Sequence, residues 1–424
     1  MNKQMIQKPI AVVLGLGQNG LATVRALARR GVPVVGIDRD LRQYTARTRY
    51  CKRLHCPDFK EGALWIRRLV QLGRALPCKG VLFPSGDFSL QMLSDHRELL
   101  DPYFHFTFPA KDVVDLCLDK KVFYRFAAEQ GFPIPQSFFP ESDDDWRMIA
   151  ANARYPCIVK PYQPSLGWRR LFPDQKLFEI GSADELLKLS RRIRQVHSDL
   201  IVQEWIPGKD DLLFFSLTYL DSTSTPLGMF TGRKIRQQPP RSGTSSIVES
   251  RWHQWIADTS TALLQAMNYT GYGSVEFKWD RRDQTFKIIE VSARTWFPHG
   301  IGAACGVNLE YLAYCDTTGL QVPPVNRFRQ GVKWIHEERD LHSCMAYLKA
   351  GQLTIPQWIS SYRGARTYAI ACWDDPGPML FLMLHLITVP LRRFRRRFAG
   401  SNNEPRTLNT DPSKTVDTRH VSTL

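Results

Sequence analysis

Two glutamates, Glu276 and Glu290, lie in segments that alternate in the manner of β-strands, GYGSVEFKW over 271–279 and TFKIIEV over 285–291. The linking Asp280-Arg281-Arg282-Asp283-Gln284 predicts a turn. A hairpin centred on Asp283 sets Glu276 opposite Glu290, Val275 opposite Val291 and Phe277 opposite Ile289. Successive side chains of a strand point to opposite faces, so the valines, Phe277 and Ile289 share one face and the two carboxylates the other. Opposed side chains have Cβ atoms about 5 Å apart, where like charges destabilise the pair. Something must offset that repulsion: a shared proton or, at neutral pH, a divalent cation. Mg²⁺ is held by one or two carboxylates together with substrate phosphates. Ser292 and Arg294 continue the face of Glu290, and a guanidinium beyond two carboxylates suits a bound phosphate better than a bare metal site. A solvated face with a surface Glu–Arg pair would give the same pattern.

Several cations have positions that fit a cleft. Lys160 ends the apolar segment PCIVKP (156–161), where its ammonium either emerges beside a cleft or snorkels to water. Lys120 lies in a helix predicted over 113–130 and stopped by Gly131-Phe132-Pro133-Ile134-Pro135. Gln203, Glu204 and Trp205 end a strand over 200–205, with Ile206 following and Pro207-Gly208 closing it. GRKIRQ (232–237) carries Lys234; Arg233, Arg236 and Arg241 either hold an anionic substrate or are ordinary surface charges. Polar loops over 163–171 and 237–246 are candidate lids.

These residues need a scaffold. PIAVVLGL (9–16) is a buried strand, GLGQNG (15–20) follows, and a helix to about Arg30 leads to a second strand ending in Asp38, a βαβ opening. A further βα repeat passes through KGVLF (79–83), whose loop Pro84-Ser85-Gly86-Asp87 lies at the strand end where ligands of open α/β sheets bind. GLGQNG with Asp38 also matches the dinucleotide fingerprint, so an NAD(P)-dependent oxidoreductase is a second reading; nothing later in the chain supplies hydride-transfer partners.

The order of these features resembles the ATP-grasp superfamily, specifically its carboxylate–amine ligases of the D-aspartate-ligase-like group, over roughly residues 9–320. The resemblance implies mixed α/β and α+β architecture: a Rossmann-like N-terminal domain (1–112), then a two-lobed ATP-grasp domain (113–325). A C-terminal extension (326–400) and a disordered tail (401–424) complete the expected division. It implies that Lys120 and Lys160 contact ATP phosphates. Glu204 and the backbone of Trp205 and Ile206 would read adenine, Gln203 would also bind the nucleotide, and Asp211 would lie near the ribose. Glu276, Glu290 and Ser292 would hold Mg²⁺ or Mn²⁺. Arg294 would meet the transferred phosphate and Lys234 the γ-phosphate or acyl phosphate. Implied partners are a small-molecule carboxylate and an amine. One departure stands out: the family pattern Glu-x-Asn-x-Arg is here Glu290-Val291-Ser292-Ala293-Arg294. A serine hydroxyl is shorter than an asparagine amide and a weaker donor, which loosens the expected second metal. It admits an alternative, a nucleotide-binding homologue with lost or altered ligase activity.

Composition sets bounds on these readings. With 43% hydrophobic and 23% charged residues, the chain has the make-up of a globular protein. The net charge of +16 favours polyanionic partners, but no helix-turn-helix, finger or RNA-recognition signature is present, so nucleic acid is not expected. The nine cysteines are scattered, fitting a reducing cytoplasm, and residues 10–16 are a poor signal peptide. Met379–Leu391 is too short to span a bilayer. Together with five arginines among 392–397, it makes 379–398 either a peripheral contact with the anionic inner face of a membrane or a core helix with a basic end.

Overall fold

Short runs of Val, Ile, Leu and Ala become strands buried on both faces, as parallel sheets require. In the computed structural model, which describes residues 8–56, 62–162, 166–172, 175–193, 199–321, 325 and 327–387, five strands open the chain. They are β1 (Ala11–Leu14), β2 (Val34–Asp38), β3 (Lys52–His55), β4 (Gly80–Pro84) and β5 (Phe104–Phe106), and three of them, β1, β2 and β4, are of this kind. All five pair in parallel, in the order β3-β2-β1-β4-β5. Edge strand β3 (KRLH) is mostly exposed, and its charges discourage further pairing.

The glycine-rich turn after β1 is filled by protein. A Cβ on Gly20 would lie 1.9 Å from the Gly15 carbonyl, and one on Gly15 would lie 2.3 Å from Ser85 Oγ. Ser85 Oγ donates to the carbonyls of Leu14 (2.6 Å) and Gly15 (3.0 Å). Buried Asp38 accepts from the backbone N–H of Leu16 (2.5 Å) and of Asp40 (2.9 Å). Its carboxylate is therefore spent on the turn, where the oxidoreductase reading needs it for a ribose.

The helix expected over 113–130 is two helices, Lys111–Leu118 and Lys120–Glu129. Asp119 causes the break: its side chain caps the second helix by accepting from the N–H of Lys121 (2.8 Å) and Val122 (3.1 Å). Lys120 is thus the first residue of a helix.

A four-stranded antiparallel sheet follows: β6 (Ser137–Phe138), β7 (Cys157–Pro161), β8 (Phe178–Ile180) and β9 (Leu200–Glu204), in the order β6-β9-β7-β8. It has its own core, including Trp146, Ile149, Trp168, Leu186 and Ile193. Part of the expected loop 163–171 is a short helix, Leu166–Leu171; residues 163–165 lie outside the described residues. Buried Trp168 pins it, edge-on to Phe178 at 5.6 Å and against Phe172 at 5.0 Å.

The large sheet contains β10 (Leu213–Leu220), β11 (Pro226–Gln238), β12 (Thr244–Ser250), β13 (Gly271–Asp280), β14 (Thr285–Ser292), β15 (Lys333–Ile335) and β16 (Arg366–Tyr368). Their order is β14-β13-β10-β11-β12-β15-β16. Apolar cores including Val12, Leu82, Phe277 and Ile288, and Val13, Phe215 and Trp334, join the back of this sheet to the N-terminal sheet.

Two expectations change in the large sheet. The loop over 237–246 is mostly hairpin, because β11 and β12 pair as far as Gln237 with Ser245 and Gln238 with Thr244. In the β13–β14 hairpin, Glu276 faces Glu290 and Val275 faces Val291, but Phe277 faces Ile288. A register shift after Glu276 puts Ile288 into the core and moves Ile289 to the cleft side with Glu290.

Among the described residues, no helix is long and apolar enough to cross a membrane. The chain is helical over 377–387; residues 388–398 and the tail 401–424 lie outside the described residues.

Candidate functional site

Where the four-stranded sheet faces the large sheet, a cleft of about 930 Å³ opens. Lys120, Lys160, Gln203, Glu204, Trp205, Ile206, Lys234, Glu276, Glu290, Ser292 and Arg294 all line it. Asp211 does not: it is exposed on the turn Asp210–Leu212.

At one end, β7 and β9 present Lys160 and Gln203 side by side, with Lys160 Nζ donating to Gln203 Oε1 (3.2 Å). Burial, aided by repulsion from Lys120, pushes Lys160 down to about 7, while Glu290 acts in the opposite direction. Phosphate beside Lys160 would favour its charged form, so nucleotide binding above pH 7 should take up a proton. We expect nucleotide affinity to be highest below pH 7 and to weaken, by at most tenfold per pH unit, as Lys160 deprotonates. Titrating ADP from pH 6 to 9 in two buffers of different ionisation enthalpy checks this; Lys160→Met should flatten the profile.

The hinge residues are more committed than expected. Buried Glu204 accepts from Arg282 (2.7 Å) and from the Gln136 N–H (3.2 Å), and its carboxylate lies 3.2 Å from the Arg154 guanidinium. The Trp205 N–H donates to the Pro156 carbonyl (2.9 Å). Contact between Trp205 and a base would therefore use its carbonyl or ring. The turn over 239–243 is also tied down. Asp210 accepts from Gln237 (2.9 Å), from the Arg241 N–H (3.0 Å) and from the Tyr347 hydroxyl. Arg241 pairs with Glu179 (2.7 Å) and lies 5.2 Å from the Trp205 ring centroid.

At the other end stand the paired carboxylates. Their repulsion is partly met from within the protein: Lys234 Nζ lies 2.8 Å from Glu276 and 5.5 Å from the centroid of the Trp296 ring. Burial still raises the Glu276 carboxyl; Lys234 opposes that rise and Glu290 adds to it. Lys278 also lines this region, donating to the carbonyls of Gly208 (3.3 Å) and Lys209 (2.6 Å), and burial pushes it down to about 8. It was overlooked in the sequence, although it follows Glu276 by two and so shares its face. Arg233 pairs with Glu249 (2.8 Å) and buried Arg236 with Asp340 (2.9 Å), so neither is a free cation for a substrate.

Arg294 forms a two-point pair with Asp87, Nε to Oδ1 at 2.5 Å and NH2 to Oδ2 at 3.1 Å. Asp87 follows β4, so a loop of the N-terminal sheet reaches the site. Among the described residues, Gln18 Oε1, Asn19 Oδ1, Thr295 Oγ1, His336 Nε2 and Arg339 Nε are buried polar atoms with no hydrogen-bond partner. The Arg339 guanidinium lies 4.9 Å from the centroid of Phe297, which lines the cleft. Buried polar groups of this kind ordinarily find a partner.

Among the described residues there is no cluster of three or more His, Cys, Asp or Glu that could hold a metal. Glu276, Glu290 and the Ser292 hydroxyl are hard oxygen donors, too few for a closed all-protein cage. They suit a cation such as Mg²⁺ that takes its remaining ligands from phosphates and water.

Residues 235–315 match the family model described as carbamoyl-phosphate synthase L chain, ATP binding domain. The chain is 24% identical over 267 residues to the D-aspartate ligase of Enterococcus faecium (strain Aus0004); the match takes in 59% of this chain and spans 63% of that relative's length. The fold is similar to the biotin carboxylase domain of Hydrogenobacter thermophilus 2-oxoglutarate carboxylase, solved with MgADP, ADP and bicarbonate. That likeness has a TM-score of 0.60 and 14% identity, covering 76% of this chain and 73% of the other. The L-amino acid ligase of Bacillus licheniformis gives a TM-score of 0.53 and 16% identity, covering 73% and 74%. Family model and curated relative point the same way: part of the chain is similar to an ATP binding domain, and a longer stretch is similar to a D-aspartate ligase, a likeness with which the fold agrees.

Proposed function

We propose that this protein is an ATP-dependent ligase that joins a carboxylate to an amine through an acyl phosphate. The observation that carries the reading is the convergence in one cleft of Lys120, Lys160, Lys234 and Arg294 with the opposed Glu276 and Glu290. Four cations and two carboxylates suit a polyphosphate and its counter-ion better than they suit each other. The similarity to D-aspartate ligase and L-amino acid ligase supports the same chemistry.

Lys120 and Lys160 hold the phosphates at the hinge end. The substrate carboxylate attacks the γ-phosphorus in line, the bond to the β,γ-bridging oxygen breaks, and ADP leaves. Arg294 orients the transferring phosphoryl group, and Lys234 neutralises its oxygens. The amine then attacks the acyl carbon, phosphate departs, and the amine loses a proton. Glu276, Glu290 and Ser292 are the residues that would hold Mg²⁺, which when bound neutralises charge on the phosphates. The unpartnered atoms of Gln18, Asn19, His336 and Arg339 favour placing the polar second substrate at the Phe297 end. Water must be kept out between the two steps, because acyl phosphates hydrolyse.

Neutral hydroxylamine captures acyl phosphates as hydroxamates without knowledge of the natural amine. Incubation with MgATP, hydroxylamine and pools of small carboxylates should give hydroxamate in step with ADP. MgATP binding without hydroxamate from any pool would favour the nucleotide-binding homologue, which Ser292 admits. Ser292→Asn, by supplying the longer amide oxygen, should lower the Mg²⁺ concentration giving half-maximal ADP release, by several-fold. A magnesium titration at saturating ATP checks it; an unchanged midpoint would remove Ser292 from the metal site.

A further inference from the structure

We propose that Arg339 and His336 form an anion subsite at the Phe297 end of the cleft, so that the amine substrate carries an anionic group besides its reacting nitrogen. The proposal rests on the ligase reading and narrows one of its substrates.

Five of the twelve unpartnered buried side-chain atoms among the described residues belong to Gln18, Asn19, Thr295, His336 and Arg339. A run of contacts joins these residues, and it begins and ends at the cleft. Arg294 lines the cleft and precedes Thr295, whose carbonyl accepts from Asn19 Nδ2 (3.0 Å). Gln18, beside Asn19, donates through Nε2 to the Tyr44 hydroxyl (2.8 Å). That hydroxyl donates to Glu338 (3.2 Å), the neighbour of Arg339. The Arg339 guanidinium returns to the cleft at Phe297, 4.9 Å from its ring centroid, and the His336 ring stacks on the same phenyl at 5.4 Å and 10°. The start of helix Gln18–Ala28 and the start of helix Glu337–Lys349 thus meet at this end of the cleft.

The unpartnered atoms sort by chemistry. At the Phe297 side both are donors. Burial works against the Arg339 charge, opposed only by Tyr44 and Glu338, and Glu338 is already taken by the Tyr44 hydroxyl. Buried His336 accepts through Nδ1 from the Arg339 N–H (3.3 Å). Burial, aided by Arg339, pushes His336 down to about 3, so the ring is neutral and its proton sits on Nε2. Two donors that lack acceptors, one of them charged, suit an anion.

At the Asn19 side the unpartnered amide atoms are acceptors. Their orientation is fixed, because Asn19 Nδ2 donates to the carbonyls of Ser85 (3.1 Å) and Thr295 (3.0 Å) and Gln18 Nε2 to Tyr44. Gln18 Oε1 and Asn19 Oδ1 therefore suit an N–H group. One molecule bearing an amine and an anion satisfies both sets. Its amine lies toward Asn19 and Arg294, where the acyl phosphate forms, and its carboxylate or phosphate lies toward Arg339.

Saturation-transfer NMR on the full chain with saturating MgADP tests the proposal. The probes are matched pairs: β-alanine against propylamine, and 2-aminoethyl phosphate against ethanolamine. At least one anionic probe should bind about tenfold or more tightly than its uncharged counterpart, and which pair shows the preference separates carboxylate from phosphate. Arg339→Met should weaken that probe about tenfold or more and leave the uncharged amines within about twofold. Arg339→Lys, which keeps the charge, should restore most of the binding. Melting temperature reports whether each variant is folded, and Arg339→Gln replaces Arg339→Met if the latter is not. No binding of either anionic probe, no preference over the uncharged amines, or a preference that survives loss of the Arg339 charge overturns the proposal. Calorimetry with MgADP is read separately: no MgADP binding removes the ligase reading, whereas MgADP binding without the probe preference removes the subsite alone.

Discussion

Arg294→Ala is expected to lower kcat for ADP release about a thousandfold or more while leaving the ATP dissociation constant within a few-fold. Arginines that stabilise a transferring phosphoryl group are worth about 10³–10⁵ in kcat, because their charge meets charge that develops only in the transition state. The structure supplies the complication: Arg294 is paired with Asp87, so its loss also frees a carboxylate at the rim of the cleft. Asp87→Asn separates the two effects. It removes the partner but keeps the guanidinium, and the Asp87 side chain is 57% exposed, so its pairing contributes little stability. Asp87→Asn should stay within about tenfold of the parent. If both variants lose activity equally, the pair is positioning the N-terminal loop and Arg294 is not meeting phosphate.

Glu290→Gln is expected to raise the Mg²⁺ concentration needed for half-maximal activity by about 10–100-fold, with a matching fall in turnover at physiological Mg²⁺. The substitution keeps shape and removes charge. It also carries a signature that a merely structural role would not give. Glu276 and Glu290 are directly opposed across β13 and β14, and like charges so placed destabilise the pair. Without metal or nucleotide, Glu290→Gln should therefore be slightly more stable than the parent. Urea unfolding and a magnesium titration together decide it: lower stability with unchanged metal dependence would show that the hairpin argument is wrong.

The legibility of this site followed the range of the interactions involved. The facing glutamates could be read because strand alternation is local and the turn at 280–284 fixes the register nearby. The same reasoning failed one residue later, since the shift that exchanges Ile288 for Ile289 depends on packing against the core. The single helix expected over 113–130 runs through Asp119, whose side chain instead caps the second of two helices, and this hid that Lys120 begins a new one. Lys278 lay in plain view at the spacing of Glu276. By contrast, the commitments of Glu204 to Arg154 and Arg282, and of Arg236 to Asp340, join residues 50 or more positions apart, and no local pattern announces them. Asp38 is the clearest lesson: the glycine-rich fingerprint was intact in sequence, yet Ser85, from a different strand, fills the turn.

Calorimetric titration decides whether this cleft binds ATP together with magnesium. ATP titrated with and without Mg²⁺ should bind saturably at one site, with magnesium dependence, and Lys160→Met should weaken it strongly. NADH in the same cell should give no heat. Absence of ATP binding to the folded protein, or tight NADH binding in its place, would contradict the account and return attention to the turn after β1.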